Sequence, residues 1–417
     1  MTGNDDEKGH IVGISKLESS ISWLDFSEDD RRKMMEVVSL FKLRETRDEL
    51  GIGSIRDTFA EMLFLGTGTM QTRARYFLIV PWIYLRLEKR RIPSSKIDER
   101  LKQEESYIIR VLLEGDSDGV IGRISGPRLN RFPSNIYWYG LRRWGIFRHN
   151  MGQLQYHRSL DRIYQIKQTS HTTDDGEPLD WGSGVNWDPH LPQEPEGFPH
   201  GLNLSLTDEE ARYLQEKIHL HCSDSMLPFL VDSRVLLDEV DFAWLHPNLS
   251  SFPPDLQSKL NHAQNFSEIM FGAALLYNYL LAEKDKREEL VSKYKEDLDA
   301  WYEIVSLNQR ALNDWDLAAF WSLVRAHGRI PIQTQQFVTR WINVSYKGGT
   351  IARVEKNKKA REVIRIRETY LKGGRSRFKS KRHRELWGGA SGNFQVDYRW
   401  WVTKRIVNDI IRGLEKD

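Results

Sequence analysis

The chain has 417 residues, 40% of them hydrophobic and 29% charged, with a formal net charge of +2 and one cysteine, Cys222. At about 150 residues per domain this suggests two to three domains with enough apolar surface for a core. It excludes a disulfide framework and a cysteine-rich zinc site. The longest apolar stretch, Tyr76 to Leu85, is half the ~20 residues that span a bilayer, and the acidic, polar start does not read as a secretory signal. The expectation is a soluble, cytoplasmic protein with no membrane contact.

Residues 1–20 read as disordered. A first helix is expected from Ser27, an N-cap followed by Glu28, Asp29 and Asp30, with Met34, Val37, Val38 and Phe41 at helical spacing. Gly51 and Gly53 break the chain, and Ser54 is a candidate cap for a second helix through Ile55, Phe59, Met62 and Leu63. Gly66-Thr67-Gly68-Thr69 reads as a turn, and Tyr76 to Leu87 as a buried helix kinked at Pro81. These elements make an N-terminal helical domain over 21–103.

Residues 104–165 form a distinct unit. Tyr107, Ile108, Val111 and Leu112 mark one helix. Ser134 is a candidate cap for another through Tyr137, Leu141 and Trp144, closed by Gly145, and Ile146-Phe147 is strand-like. This order is compatible with a small winged-helix-like unit, as with many other helical subdomains. Residues 166–205, rich in Pro, Gly, Asp and Ser with scattered Trp181, Trp187 and Phe198, read as a long irregular loop that its tryptophans are expected to pin to the body.

The helical core is expected over 206–339. Thr207-Asp208-Glu209-Glu210 is a capping box. Phe266 to Ala282 is apolar nearly all round and reads as a central helix. Glu288 to Val305, Asp314 to His327 and Thr334 to Val344 follow as further helices. The fold class is mainly α, a helical protein of several subdomains.

The C-terminal region, 340–417, concentrates positive charge. Between Arg340 and Arg384 stand sixteen Lys and Arg against three Glu, a balance of +13, whereas residues 1–339 carry −11. Such segregation points to nucleic acid, DNA or RNA, or to a basic helix docked on the chain's own acidic body. Ile351 to Leu371 reads as a helix with Lys358, Arg361, Arg365 and Lys372 on one stripe. Ala360, Val363, Ile364, Ile366, Tyr370 and Leu371 fall opposite. The following loop carries Arg375, Arg377, Lys379, Lys381, Arg382 and Arg384. It reads as flexible, suited to neutralising phosphates without reading bases, with Phe378 placed to stack. A terminal helix carries Tyr398, Trp401, Val402, Ile406, Ile410 and Leu414.

Catalytic patterns are largely missing. There is no Walker A lysine after the Gly-Thr turn, no H-E-x-x-H, no deaminase signature and no G-x-S-x-G elbow. His219-Leu220-His221-Cys222 is the one metal-like run, but on a helix its two histidines point about 200° apart. Arg56, Asp57, Arg73 and Arg75 flank the Gly-Thr turn in apolar surroundings, as a buried ion-pair network or as a binding cluster. No cofactor, metal or catalytic residue is indicated.

Several stretches carry a family likeness. They are Ile21-Ser22-Trp23-Leu24-Asp25-Phe26-Ser27, then Gly53-Ser54-Ile55-Arg56-Asp57 through Thr72-Arg73-Ala74-Arg75-Tyr76 to Pro81-Trp82-Ile83. Ile136-Tyr137-Trp138, Gly272 to Asn278 and Asp397-Tyr398-Arg399-Trp400 complete the set. Together they resemble an uncharacterised bacterial domain-of-unknown-function family, departing at Leu65, where a proline is expected. The resemblance implies a component of phage-defence islands of the Azaca type, encoded beside helicase and phospholipase D-type nuclease proteins. It transfers no catalytic residue. The function expected is a non-catalytic antiviral component that binds nucleic acid through its basic segment. The alternatives are a protein–protein adaptor for such a partner and an undetected nuclease.

Overall fold

The computed structural model describes residues 48–124, 129–169, 186–347 and 350–416. They belong to one compact unit, Asp48–Asp417. The helix expected from Ser27, the disordered start, and Trp181 of the long loop lie outside the described residues.

The architecture is mainly helical. In chain order the first half has α1 (Gly53–Leu63), α2 (Tyr76–Lys89), α3 (Ile97–Glu114), α4 (Pro133–Arg143), α5 (Gln153–Thr169), α6 (Asp208–His221) and α7 (Leu227–Asp232). Then come α8 (Pro254–Lys284), α9 (Glu288–Leu307), α10 (Gln309–Asn313), α11 (Leu317–His327) and α12 (Ile332–Ser345). A two-residue hairpin, β1 (Tyr346–Lys347) and β2 (Thr350–Ile351), precedes α13 (Lys358–Lys372), α14 (Lys381–Glu385) and α15 (Trp400–Leu414). No helix of the described residues is long and apolar enough to cross a membrane.

The centre is α8, a 31-residue helix buried along most of its length, as its all-round apolar sequence implies. Two indoles cross onto its backbone. Trp301 of α9 donates to the Glu268 carbonyl at 2.7 Å, and Trp341 of α12 to that of Ile269 at 2.8 Å. Gly272 lies one turn on, and a Cβ there would fall inside the Trp301 ring. The absence of a side chain is what lets α9 approach.

A second packing centre is α2, buried from Tyr76 to Tyr84 despite the internal Pro81. It packs on α3 and α4, with Phe77 stacked on Trp144 at 4.0 Å and edge-on to Tyr137. The segment after residue 185 is pinned at Trp187, as expected, and also at Phe198. The Trp187 indole donates to buried Glu88 at 2.8 Å, and Phe198 meets Trp82 edge-on. The irregular stretch starts later than 166, because α5 runs on to Thr169. Around the expected winged-helix unit, Phe147 makes a single antiparallel bridge to Trp187.

Local capping follows the sequence at one site and departs from it at two. Thr207 and Glu210 satisfy each other's backbone donors at 3.2 and 3.0 Å, as the capping box requires. Ser54, by contrast, does not cap α1. Asp48 does so from five residues before the helix, its carboxylate accepting from Ile52 N at 3.0 Å and Gly53 N at 2.6 Å. Ser134 likewise sits inside the first turn of α4, where its amide and hydroxyl donate to buried Glu105.

The basic helix is shorter than its periodicity suggests. Tyr346 and Lys347 pair antiparallel with Ile351 and Thr350, and α13 starts at Lys358 behind an Asn357 cap. Its buried face is also different. Ala360 and Ile364 are inside, but so are Arg367 and Glu368, while Ile366 (54% exposed) and Tyr370 (62%) face solvent. The inward charges win because they have partners. Arg367 donates to the Leu50 carbonyl at 2.7 Å, the Gly51 carbonyl at 3.0 Å and Thr334 at 2.9 Å. Glu368 accepts from Ser376 and from the Arg377 amide at 2.7 Å.

Candidate nucleic-acid interface

The cations of the C-terminal segment divide into two sets. One set is turned inward. Arg361 pairs with Glu283 at 2.5 Å, Lys372 and Arg377 both with Glu49, and Arg384 with Asp285. Arg377 also donates to the Tyr277 hydroxyl at 3.0 Å. Glu49 is itself buried. Burial alone would raise its pKa, but bonds from Lys372 and Ser391, with the charges of Lys372 and Arg377, bring it below the usual glutamate range. Phe378 is buried edge-on to Tyr277, 5.8 Å between centroids, so it is not available to a base. The segment is not loop throughout. Gly373–Arg375 make a 3-10 turn and Lys381–Glu385 a short helix capped by Ser380.

The other set faces solvent. Lys358 and Arg365 on α13, Arg375 in the turn, and Lys379, Lys381 and Arg382 beyond it are all exposed. Among the described residues the sole ion pair in this set is Lys381 with Glu385, at 3.9 Å on an exposed surface, a contact of little worth in water. Exposed Lys356 and Lys359 extend the set. Tyr370 stands one turn beyond Ile366 on the same solvent-facing side of α13.

Arg56, Asp57, Arg73 and Arg75 do not form one cluster. Arg56 and Asp57 pair with each other at the surface, 3.1 Å apart. Arg73 reaches Asp409 of α15 at 2.9 Å, and Arg75 reaches Glu210 of α6 at 2.7 Å and the Asn203 carbonyl at 2.9 Å. Burial would lower the Arg73 pKa, but the Asp409 charge and bond raise it. Arg75 lines a cleft of about 340 Å3 with Asn203 and Lys416, yet its guanidinium is committed to Glu210. The Gly-Thr turn is also self-satisfied. Gly68 N donates to Gln71, and Gln71 returns a bond to the Gly66 carbonyl.

His219 and His221 diverge at the end of α6, as helical geometry requires. His219 lies 2.9 Å from Asp232, and His221 lies over Gly145. Cys222 is buried, and burial pushes its thiol up to about 12, although the Arg143 charge pulls the other way. Such a thiol is inert as a nucleophile at neutral pH. Among the described residues no His, Cys, Asp and Glu group could hold a metal ion.

Sequence reasoning passed over a second basic site. Arg142 and Arg143 end α4, Arg148 and His149 follow in the next segment, Asp188 and His190 come from the irregular stretch, and Lys217 and His221 from α6. These residues line one cleft of about 560 Å3. The pairs Arg142-Arg143 and Arg148-His149 were the available signal.

This is a helical protein with two basic surfaces. The chain belongs to DUF6361, a family of unknown function, whose model matches residues 18–413. No curated protein and no solved structure matches it.

Proposed function

We propose that this protein binds nucleic acid through the outward cations of its C-terminal segment, as a non-catalytic component of a bacterial antiviral system. The observation that carries the reading is the sorting of charge. Arg361, Lys372, Arg377 and Arg384 are paired internally, whereas Lys358, Arg365, Arg375, Lys379, Lys381 and Arg382 remain exposed. Those six suit sequence-independent contact with phosphates. Exposed Tyr370 replaces Phe378 as the aromatic able to stack on a base. The antiviral setting rests on the family resemblance of the motifs, as does a helicase or phospholipase D-type nuclease as partner.

The test is binding to labelled single- and double-stranded DNA and RNA across salt. Six neutralised phosphates give a log–log slope of about −5 on duplex. Neutralising Arg365, Arg375, Lys379 and Arg382 should flatten it. Binding that is unchanged in this variant sinks the reading.

A second reading, an adaptor docking a nucleic-acid enzyme, is favoured by Ile366 and Tyr370, apolar side chains left in solvent on one face of α13. Nuclease-resistant co-purification of a helicase or nuclease, lost in an Ile366→Ser, Tyr370→Ser variant, supports it. Persistence in that variant removes it.

A further inference from the structure

The cleft between the end of α4, the segment 146–150, the stretch after residue 185 and α6 is a second charged site, remote in sequence from the C-terminal segment. Its volume, about 560 Å3, lies within the range of small-molecule sites. Three guanidinium groups, Arg142, Arg143 and Arg148, and the Lys217 ammonium line it against one carboxylate, Asp188.

That carboxylate is already committed. Asp188 pairs with Lys217, accepts from the Tyr213 hydroxyl at 3.2 Å and from the His190 amide at 3.0 Å. Burial alone would raise its pKa, but these partners bring it below its ordinary value. Lys217 and Asp188 therefore neutralise each other. The three arginines have no carboxylate partner among the described residues.

On the arginine side a donor is also left unmatched. The Arg142 guanidinium is held by Asn150, yet its Nε is buried and has no hydrogen-bond partner among the described residues. A buried donor left unmatched is costly and uncommon. Across the cleft, burial first and the Lys217 charge second hold the His221 imidazole below its ordinary pKa, against the opposing pull of Asp188. Guanidinium forks match phosphate oxygens in pairs.

We infer that this cleft binds a phosphate ester carrying at least two negative charges, of nucleotide size, through Arg142, Arg143 and Arg148. Two sources share that chemistry, a free nucleoside triphosphate and the 5′-phosphorylated end of a nucleic-acid strand. The inference stands independently of the C-terminal face.

Calorimetric titration of the full chain with ATP tests the first source. The second is tested with short oligonucleotides bearing a 5′-phosphate or a 5′-hydroxyl, in a Lys379→Gln, Arg382→Gln background that weakens the C-terminal face equally for both. Saturable binding of ATP, or a clear preference for the phosphorylated end, is the expected result. The Arg143→Gln, Arg148→Gln variant should weaken it tenfold or more while leaving the thermal midpoint in place. Arg148 is exposed, so Arg148→Gln alone gives the same reading, with a smaller loss, if the double variant does not fold. Absence of ATP binding together with equal binding of both oligonucleotides overturns the inference. So does unchanged affinity in the folded arginine variants.

Discussion

Arg377 donates to a carboxylate oxygen of Glu49 across 3.0 Å and 328 positions of chain. Ser391 gives the same oxygen a second bond at 2.5 Å, and Lys372 pairs with the other oxygen. Part of the basic segment is thus an internal counterion for the acidic body.

Glu49→Gln should cost about 3 kcal/mol of unfolding free energy near neutral pH, because it leaves half-buried Arg377 without its charge partner and Lys372 with Glu368 alone, 3.6 Å away. The folded carboxylate titrates below its ordinary value. Its contribution is therefore present above the ordinary glutamate range and is lost as pH falls through the folded value. Urea unfolding of both proteins should show the gap closing in acid. A gap that is absent at neutral pH contradicts this role for Glu49.

Glu105 has the opposite sign. Burial raises its pKa to about 8, although the Ser134 amide and hydroxyl pull it down. The folded chain holds this proton at pH values where the unfolded chain has released it. Stability should then fall as pH climbs from the ordinary glutamate range to about 8. Glu105→Gln keeps the shape, removes the titration and should flatten that decline, matching or exceeding the wild type near pH 8. Denaturant curves across this range decide it, and parallel declines reject it.

Gly272→Ala places a methyl group inside the Trp301 ring. That indole cannot simply swing away, because it is bonded to the Glu268 carbonyl. A loss of about 1–3 kcal/mol follows from overpacking, visible as a lowered thermal midpoint. Gly152→Ala, where a Cβ meets nothing within 4 Å, is the matched control and should change little.

The two sets of cations should separate experimentally. Arg384→Gln removes the partner of Asp285 and should lower the unfolding midpoint while leaving the salt slope of nucleic-acid binding in place. Arg365→Gln and Arg382→Gln should do the reverse, each reducing the slope by about 1. Equal effects of all three on both measurements would erase the distinction.

The helical class was legible because its signals are local. The Thr207 box, the apolar run inside α8 and the spacing of Leu290, Tyr294, Leu298 and Trp301 each act within a few turns. What escaped depends on distant partners. Periodicity alone assigns Ile366 and Tyr370 to the core of α13, since nothing nearby reveals that Leu50, Gly51 and Thr334 wait for Arg367. The cap on α1 comes from Asp48 outside the helix. The cleft joins residues 142–150 to 188–190 and to Lys217 and His221, so the window from Arg142 to Arg148 displays three of its cations but not the walls that gather them. The +13 balance located charge correctly but could not tell a counterion from a contact surface.

The bond from Arg73 to Asp409 spans 336 positions. At ribosomal speeds of about 5–20 residues per second, Arg73 emerges roughly half a minute before its acceptor is made. Until then the site that α15 will fill stays open beside α6 and α7. A nascent chain stalled before Trp400 should therefore be held by chaperones and cut by proteases, and release of the last helix should end both.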